Sequence, residues 1–270
     1  MEKVSKEEFL SKCKKYHEIE ERANIYPIAR LLVNKGDVVG GVRLLLVSWN
    51  YGHIQRVLEK ALRDNLNEKI MLMADCATDD ELDLGARKTL EAIDRKWVEV
   101  NKKLADDIRK AWEEMEEEGD IEYLRGKRFE DLDLSGDSED AQIIDCIFSK
   151  WMVKDSVSYV GAAKALGLLF PSVFVMWDNR IAKNYGIGSI AAPYQRISPY
   201  VEVFLRRVQE RFKPLLDECP PQQLWEEHRS KLHEKDQLLY SKISFEETFP
   251  KMIDEFNYVE SRPRKRRGTG

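Results

Sequence analysis

The forty residues 149–188, SKWMVKDSVSYVGAAKALGLLFPSVFVMWDNRIAKNYGIG, constrain this chain most, because an apolar run, glycine punctuation and isolated charges coincide there. Asp155 and Ser156 form a helix-start or turn signal, and Gly161 sits where a tight hairpin closes. Residues 162–170 are a small, apolar, helix-friendly run that Pro171 stops, with one charge inside it, Lys164. Residues 172–177 are apolar at nearly every position and deliver Asp178 to the mouth of a further helix over 179–185. A carboxylate there serves as an N-cap, accepting from the free amides of Arg180 or Ile181. The same amides fix it where it can act on a substrate. Lys164 has two readings as well: its stem snorkels along an apolar helix to water, or its amine faces a site.

The order helix, hairpin with Gly161, short apolar helix, apolar segment and Asp178 opening a helix resembles the helix-hairpin-helix DNA glycosylase superfamily. The segment AKALGLLFPSVFVMWDNRIAKNYG also resembles a group of uncharacterised microbial proteins with a WD-x-x-IA-x-x-YG run, a match that names no activity. The first resemblance implies an all-α, multi-helix globular fold with a helix-hairpin-helix-like element at about 140–170. It further implies backbone amides around Ser158, Val160 and Gly161 on a DNA phosphate, Asp178 as catalytic carboxylate, and Lys164 as nucleophile or phosphate contact. The implied partner is double-stranded DNA with a damaged or mismatched base. Two departures stand out. The family carries two hairpin glycines one residue apart, whereas this chain has Val160, Gly161 and Ala162. Lys164 is one residue beyond the family's lysine, which on a helix is a swing of about 100°.

The rest of the chain sets limits. At 270 residues with a charge of −5, it is long enough for one large or two small domains around a true core. Cys13, Cys76, Cys146 and Cys219 are scattered without a CxxC pair, which indicates no disulfide framework, zinc site or four-cysteine iron–sulfur cluster. No cofactor or metal is expected, and a reducing cytoplasm fits best. The polar start excludes a signal peptide, and no apolar run nears the roughly 20 residues that span a bilayer.

Along the chain, Ser5 to Glu8 is a capping box followed by Phe9, Cys13, Tyr16 and Ile19 or Glu20 at helical spacing. A short helix over 26–33 ends at Asn34, Lys35 and Gly36, and 38–62 reads as a buried helix bent near Asn50 to Gly52. Trp49, Asn50 and Tyr51 there, with Trp177, are candidates for a base pocket or wedge, and His53 is a structural histidine. A capping box at Thr78 to Glu81 opens a helical pattern to Glu118 whose acidic end, 113–118, reads as solvated; 131–140 is a flexible acidic loop that lacks calcium-loop spacing. This gives an N-terminal helical region 1–130, the loop 131–140, a region 141–260 with the hairpin element and C-terminal helices, and a disordered basic tail 261–270. The helices past Pro221 show no site.

Between Lys150 and Lys213 there are ten Lys or Arg against four Asp or Glu, a window of +6 in a chain whose remainder is −11. Such a window is the footprint of phosphate contact, with Arg180, Lys183, Arg206 and Arg207 as candidates, or the outer face of amphipathic helices. Two functions follow. One is a glycosylase-like repair protein cleaving the N-glycosidic bond of a flipped base through Asp178. The other is a non-catalytic helical module that binds nucleic acid or protein, with Asp178 only capping.

Overall fold

A computed structural model describes residues 3–20, 22–49, 84, 87–88, 91, 98–136, 138–154, 156–188, 198–242 and 249–262. The described residues are all-helical, with no strand among them, and no helix is long and apolar enough to cross a membrane.

Helix α1 (Lys6–Ile19) starts where Ser5 Oγ accepts the Glu8 amide at 3.2 Å, the first half of the capping box. Its Phe9, Cys13 and Tyr16 stripe is buried. Helix α2 (Ile25–Asn34) turns at Gly36, whose φ of +88° suits glycine, into α3 (Val38–Ser48). These two helices approach so closely that a Cβ on Gly41 would stand 2.6 Å from the Ala29 carbonyl oxygen. Helix α4 (Val98–Glu117) buries Leu104, Ile108, Ala111 and Met115, the three- and four-residue spacing of one helical face. The short α5 (Asp120–Leu124) and a 3-10 turn (Phe129–Asp131) lead to α6 (Glu139–Met152), capped by Ser138. The acidic loop between them is tied down: Asp140 accepts from Lys127 at 2.8 Å, from the Asp133 amide at 2.9 Å and from Tyr123.

Helix α7 (Ser158–Leu169) follows a short turn, and 170–177 runs as buried non-helical chain into α8 (Asn179–Asn184). A π-helical turn (Tyr200–Leu205) continues as α9 (Arg206–Glu218), and α10 (Pro221–Ser230), α11 (Glu234–Tyr240) and α12 (Phe249–Ser261) complete the described elements. Proline at the first position of α10 removes an amide that has no helical partner there.

Sequence-distant elements share one core. Phe9 of α1 lies 5.5 Å from Phe212 and 5.7 Å from Phe256 between ring centres, so α1, α9 and α12 meet through aromatic rings. Phe148 stacks on Tyr200 at 4.3 Å, and Trp177 stands edge-on to Tyr200 at 5.0 Å, seating the segment before Asp178 against α6 and the π-turn.

Candidate functional site

Residues from both ends of the chain and from its centre surround a cavity of about 620 Å3. Tyr16, Glu20 and Arg22 come from α1 and its exit, Trp49 from the end of α3, and Ser158, Val160, Gly161 and Lys164 from α7. Trp177, Asp178 and Arg180 come from the start of α8, and Asp254 and Tyr258 from α12.

Asp178 caps α8. Its Oδ1 accepts the amides of Arg180 at 2.7 Å and Ile181 at 2.8 Å, so one oxygen is fixed by backbone while Oδ2 accepts no hydrogen bond among the described residues. The cap and the cavity wall are the same group. Lys164 projects from α7, and its Nζ donates to the Trp49 carbonyl at 2.6 Å. Burial lowers its pKa to about 8, against the opposing pull of Asp178, Asp254 and Glu20. An amine of that pKa is partly unprotonated near neutrality, which an ordinary lysine is not.

Trp49 and Trp177 are buried, 8 % and 1 % exposed. Trp49 donates Nε1 to the Arg22 carbonyl at 3.0 Å and stacks on Tyr26, and Trp177 donates to the Tyr159 carbonyl at 3.3 Å. Both are walls of the cavity. Neither protrudes as a wedge has to. The other two wedge candidates, Asn50 and Tyr51, and His53 lie outside the described residues. Also in the lining, Glu20 accepts from Arg22 at 2.9 Å and from Tyr258; burial raises its pKa, and these two donors bring it below the ordinary value. The Tyr16 hydroxyl is buried with no hydrogen-bond partner among the described residues.

The turn expected at Gly161 lies earlier. Gly161 sits inside α7, one turn from its start, and its amide donates to Ser158 Oγ at 3.3 Å. Just before α7, Asp107 accepts from the Ser156 amide at 3.1 Å and from its hydroxyl at 2.5 Å, and the Val157 amide donates to the Lys154 carbonyl at 2.9 Å. Ser158 takes the left-handed conformation, φ +64°, that a hairpin glycine supplies elsewhere. A serine in that region carries strain of about 1–3 kcal/mol, held by its surroundings. The amides that border the cavity are therefore those of the first turn of α7. Helix formation does not require the glycine, and with the turn ending at Ser158, Lys164 stands six residues past the positive-φ position.

The basic window is largely spent on the chain's own carboxylates. Lys154 pairs with Glu114 at 2.6 Å, Lys150 with Glu118 at 2.7 Å and with Asp120, and Arg211 with Glu260 at 2.5 Å. The acidic end of α4, expected to be solvated, is thus partly an ion-pair partner of the α6–α7 region. Arg206 pairs with Glu210 at 3.3 Å, and Arg207 donates to the Tyr185 carbonyl. Arg180 and Lys183, on the helix that Asp178 caps, are exposed and make no ion pair among the described residues, so they are open to an anion.

A second polar cluster lies next to the cavity floor. On α12, Lys251, Asp254 and Glu255 are three and four residues apart and buried on one face, with Lys251 Nζ 3.1 Å from Asp254 and 3.2 Å from Glu255. Lys251 also lies 4.4 Å from the ring centre of Tyr16 and 5.2 Å from that of Trp49. Against Glu255 stand His17 of α1 and His228 of α10. Burial disfavours a charged His17, yet Glu255 and Asp236 outweigh it and push its pKa up to about 9. Burial holds His228 below the ordinary value. Spacing along the sequence missed this cluster because His17 is 211 positions from His228 and the members other than His17 are spread over three helices; the signal it did leave was Lys251, Asp254 and Glu255 in the otherwise apolar stretch 249–257.

No family model, curated protein or solved structure matches this chain.

Proposed function

We propose that this protein is a DNA glycosylase-like enzyme that releases a flipped, damaged base, with Asp178 as its catalytic carboxylate. One observation carries the reading: Asp178, fixed by two helix amides, and Lys164, with its lowered pKa, line a single cavity walled by Trp49 and Trp177. The cavity volume falls within the roughly 300–1,000 Å3 range of small-molecule sites. Indole walls suit a base extruded from the stack, and polar groups on Glu20, Arg22 and Tyr16 offer hydrogen bonds to its edge.

In the hydrolytic form, the C1′–N bond breaks with its electron pair leaving on the base, which takes up a proton. Asp178 stabilises the positive sugar and accepts a proton from the water whose oxygen bonds to C1′. In the lyase form, the unprotonated Lys164 amine bonds to C1′ as the base leaves, and opening of the sugar ring gives an imine. Arg180, Lys183 and the first-turn amides of α7 supply phosphate contacts.

The test is a panel of duplex oligonucleotides with different damaged bases, with Asp178→Asn alongside. Base release by the wild type and its loss in Asp178→Asn, with DNA affinity retained, supports the enzyme. Equal behaviour of the two proteins on every duplex removes it and leaves the second reading, a binding module in which Asp178 only caps α8. Borohydride trapping decides Lys164, since only an imine is reduced to a permanent crosslink.

A further inference from the structure

We propose that His17, His228 and Glu255 form a binding site for one divalent cation of the zinc class, which staples α1, α10 and α12 together beside the cavity. The ligand atoms of these three residues lie within 4.8 Å of one another. All three side chains are removed from solvent, at 2 %, 0 % and 0 % exposure.

The hydrogen-bond pattern singles out the same atoms. Glu255 Oε1 is engaged by the Tyr240 hydroxyl at 3.1 Å and by Lys251 at 3.2 Å. Glu255 Oε2, both nitrogens of His228 and both nitrogens of His17 have no aligned hydrogen-bond partner. Buried polar atoms are rarely left in that condition, and here five of them are gathered on three side chains. His228 Nε2 lies 3.2 Å from Glu255 Oε2, and His17 Nε2 lies 3.3 Å from Oε1, close enough for hydrogen bonds yet not aligned as such. Ligands about 2.0–2.1 Å from a tetrahedral zinc ion are separated by roughly 3.3 Å along the polyhedron edge. The two histidine–carboxylate spacings are near that edge, one to each oxygen of Glu255, and all three ligand atoms lie within 4.8 Å, so a modest side-chain rotation brings them onto one ion.

The surroundings fit a cation. His17 Nδ1 lies 3.5 Å from Asp236 Oδ2, unaligned as a hydrogen bond yet near enough for that carboxylate to orient a metal-bound imidazole. With both imidazoles neutral, the formal charges of Asp236, Asp254 and Glu255 against Lys251 leave −2, which a divalent ion cancels. Two imidazoles and one carboxylate suit zinc-class ions better than magnesium or calcium, which favour all-oxygen shells. Burial of all three ligands makes the role structural.

The test uses the full chain, without a histidine tag, stripped by a chelator and titrated with Zn2+ and with Co2+. We expect close to one ion per chain by mass spectrometry, a Tm rise of roughly 5 °C or more at a hundredfold excess over Kd, and a visible cobalt absorption band. His17→Gln and His228→Gln abolish the band. Wild-type protein that gains neither stability nor a cobalt band overturns the proposal, and so does a band that survives in a folded His228→Gln. The wild-type titration stands even where a variant fails to fold. Because no DNA enters the assay, its result is separate from that of the repair reading.

Discussion

Two groups of charged residues lie side by side in this protein, and they differ in how the chain assembles them. The cavity group has its chemistry in one short stretch, Lys164 to Asp178, on consecutive elements α7 and α8. The α12 group joins positions 17, 228, 236, 251 and 255, from four helices. In the first, polar atoms border open space: Oδ2 of Asp178 takes no hydrogen bond among the described residues, and Arg180 and Lys183 are exposed. In the second, nearly every group is sealed. The difference separates charged groups that border open space from charged groups that hold helices together.

The comparison breaks if the two groups respond alike to substitution. Asp178→Asn should lower base release by about 10²–10⁴-fold, the usual contribution of a positioned acid or base, in single-turnover assays. Because Asn also caps helices, urea denaturation should show a stability change under about 1 kcal/mol. Glu255→Ala should do the opposite. It removes the carboxylate that Lys251 and His17 share in the core and leaves Lys251 only Asp254, so unfolding free energy should fall by about 3 kcal/mol or more, as measured by the same denaturation.

Lys164 sharpens the contrast through pH. Its folded pKa of about 8 lies below the ordinary 10.5, so the unfolded chain binds more protons between those values. Wild-type stability therefore rises as pH climbs through that window, and below it the cost of the buried charge is complete. Relative to Lys164→Met, which lacks the group, the wild type should gain up to about 3 kcal/mol between pH 8 and 10.5. Borohydride trapping on damaged DNA should rise through pH 8. The smallest effect is expected at the surface. Arg180→Ala and Lys183→Ala should each weaken DNA binding and reduce the salt slope by about one, while Arg206→Ala, already paired with Glu210, leaves the slope almost unchanged.

Local chemistry was readable from the sequence. Ser5, Ser138 and Asp178 mark helix starts because a short acceptor side chain finds free amides within three residues, and Pro171 marks the end of α7 because the apolar run stops there. The all-helical class followed from the same local rules. Gly161 misled, because a serine with positive φ took the turn and left the glycine inside a helix. The charge window misled for a different reason: Lys150, Lys154 and Arg211 find partners at Asp120, Glu114 and Glu260, and no count along a window contains the partner. His17 and His228, 211 positions apart, were invisible on the same ground.

The cavity wall has a consequence for how the protein is made. Tyr16 and Glu20 near the start of the chain meet Asp254 and Tyr258 of α12 in this wall, Tyr258 donating to Glu20, and Phe9 is in aromatic contact with Phe256. During synthesis, which proceeds at about 5–20 residues per second, the first helix waits for α12 to leave the ribosome before this pocket has a floor. Until then Lys164 and Asp178 have no enclosed space to share, so a nascent or prematurely released chain lacks the chamber in which any reaction would occur.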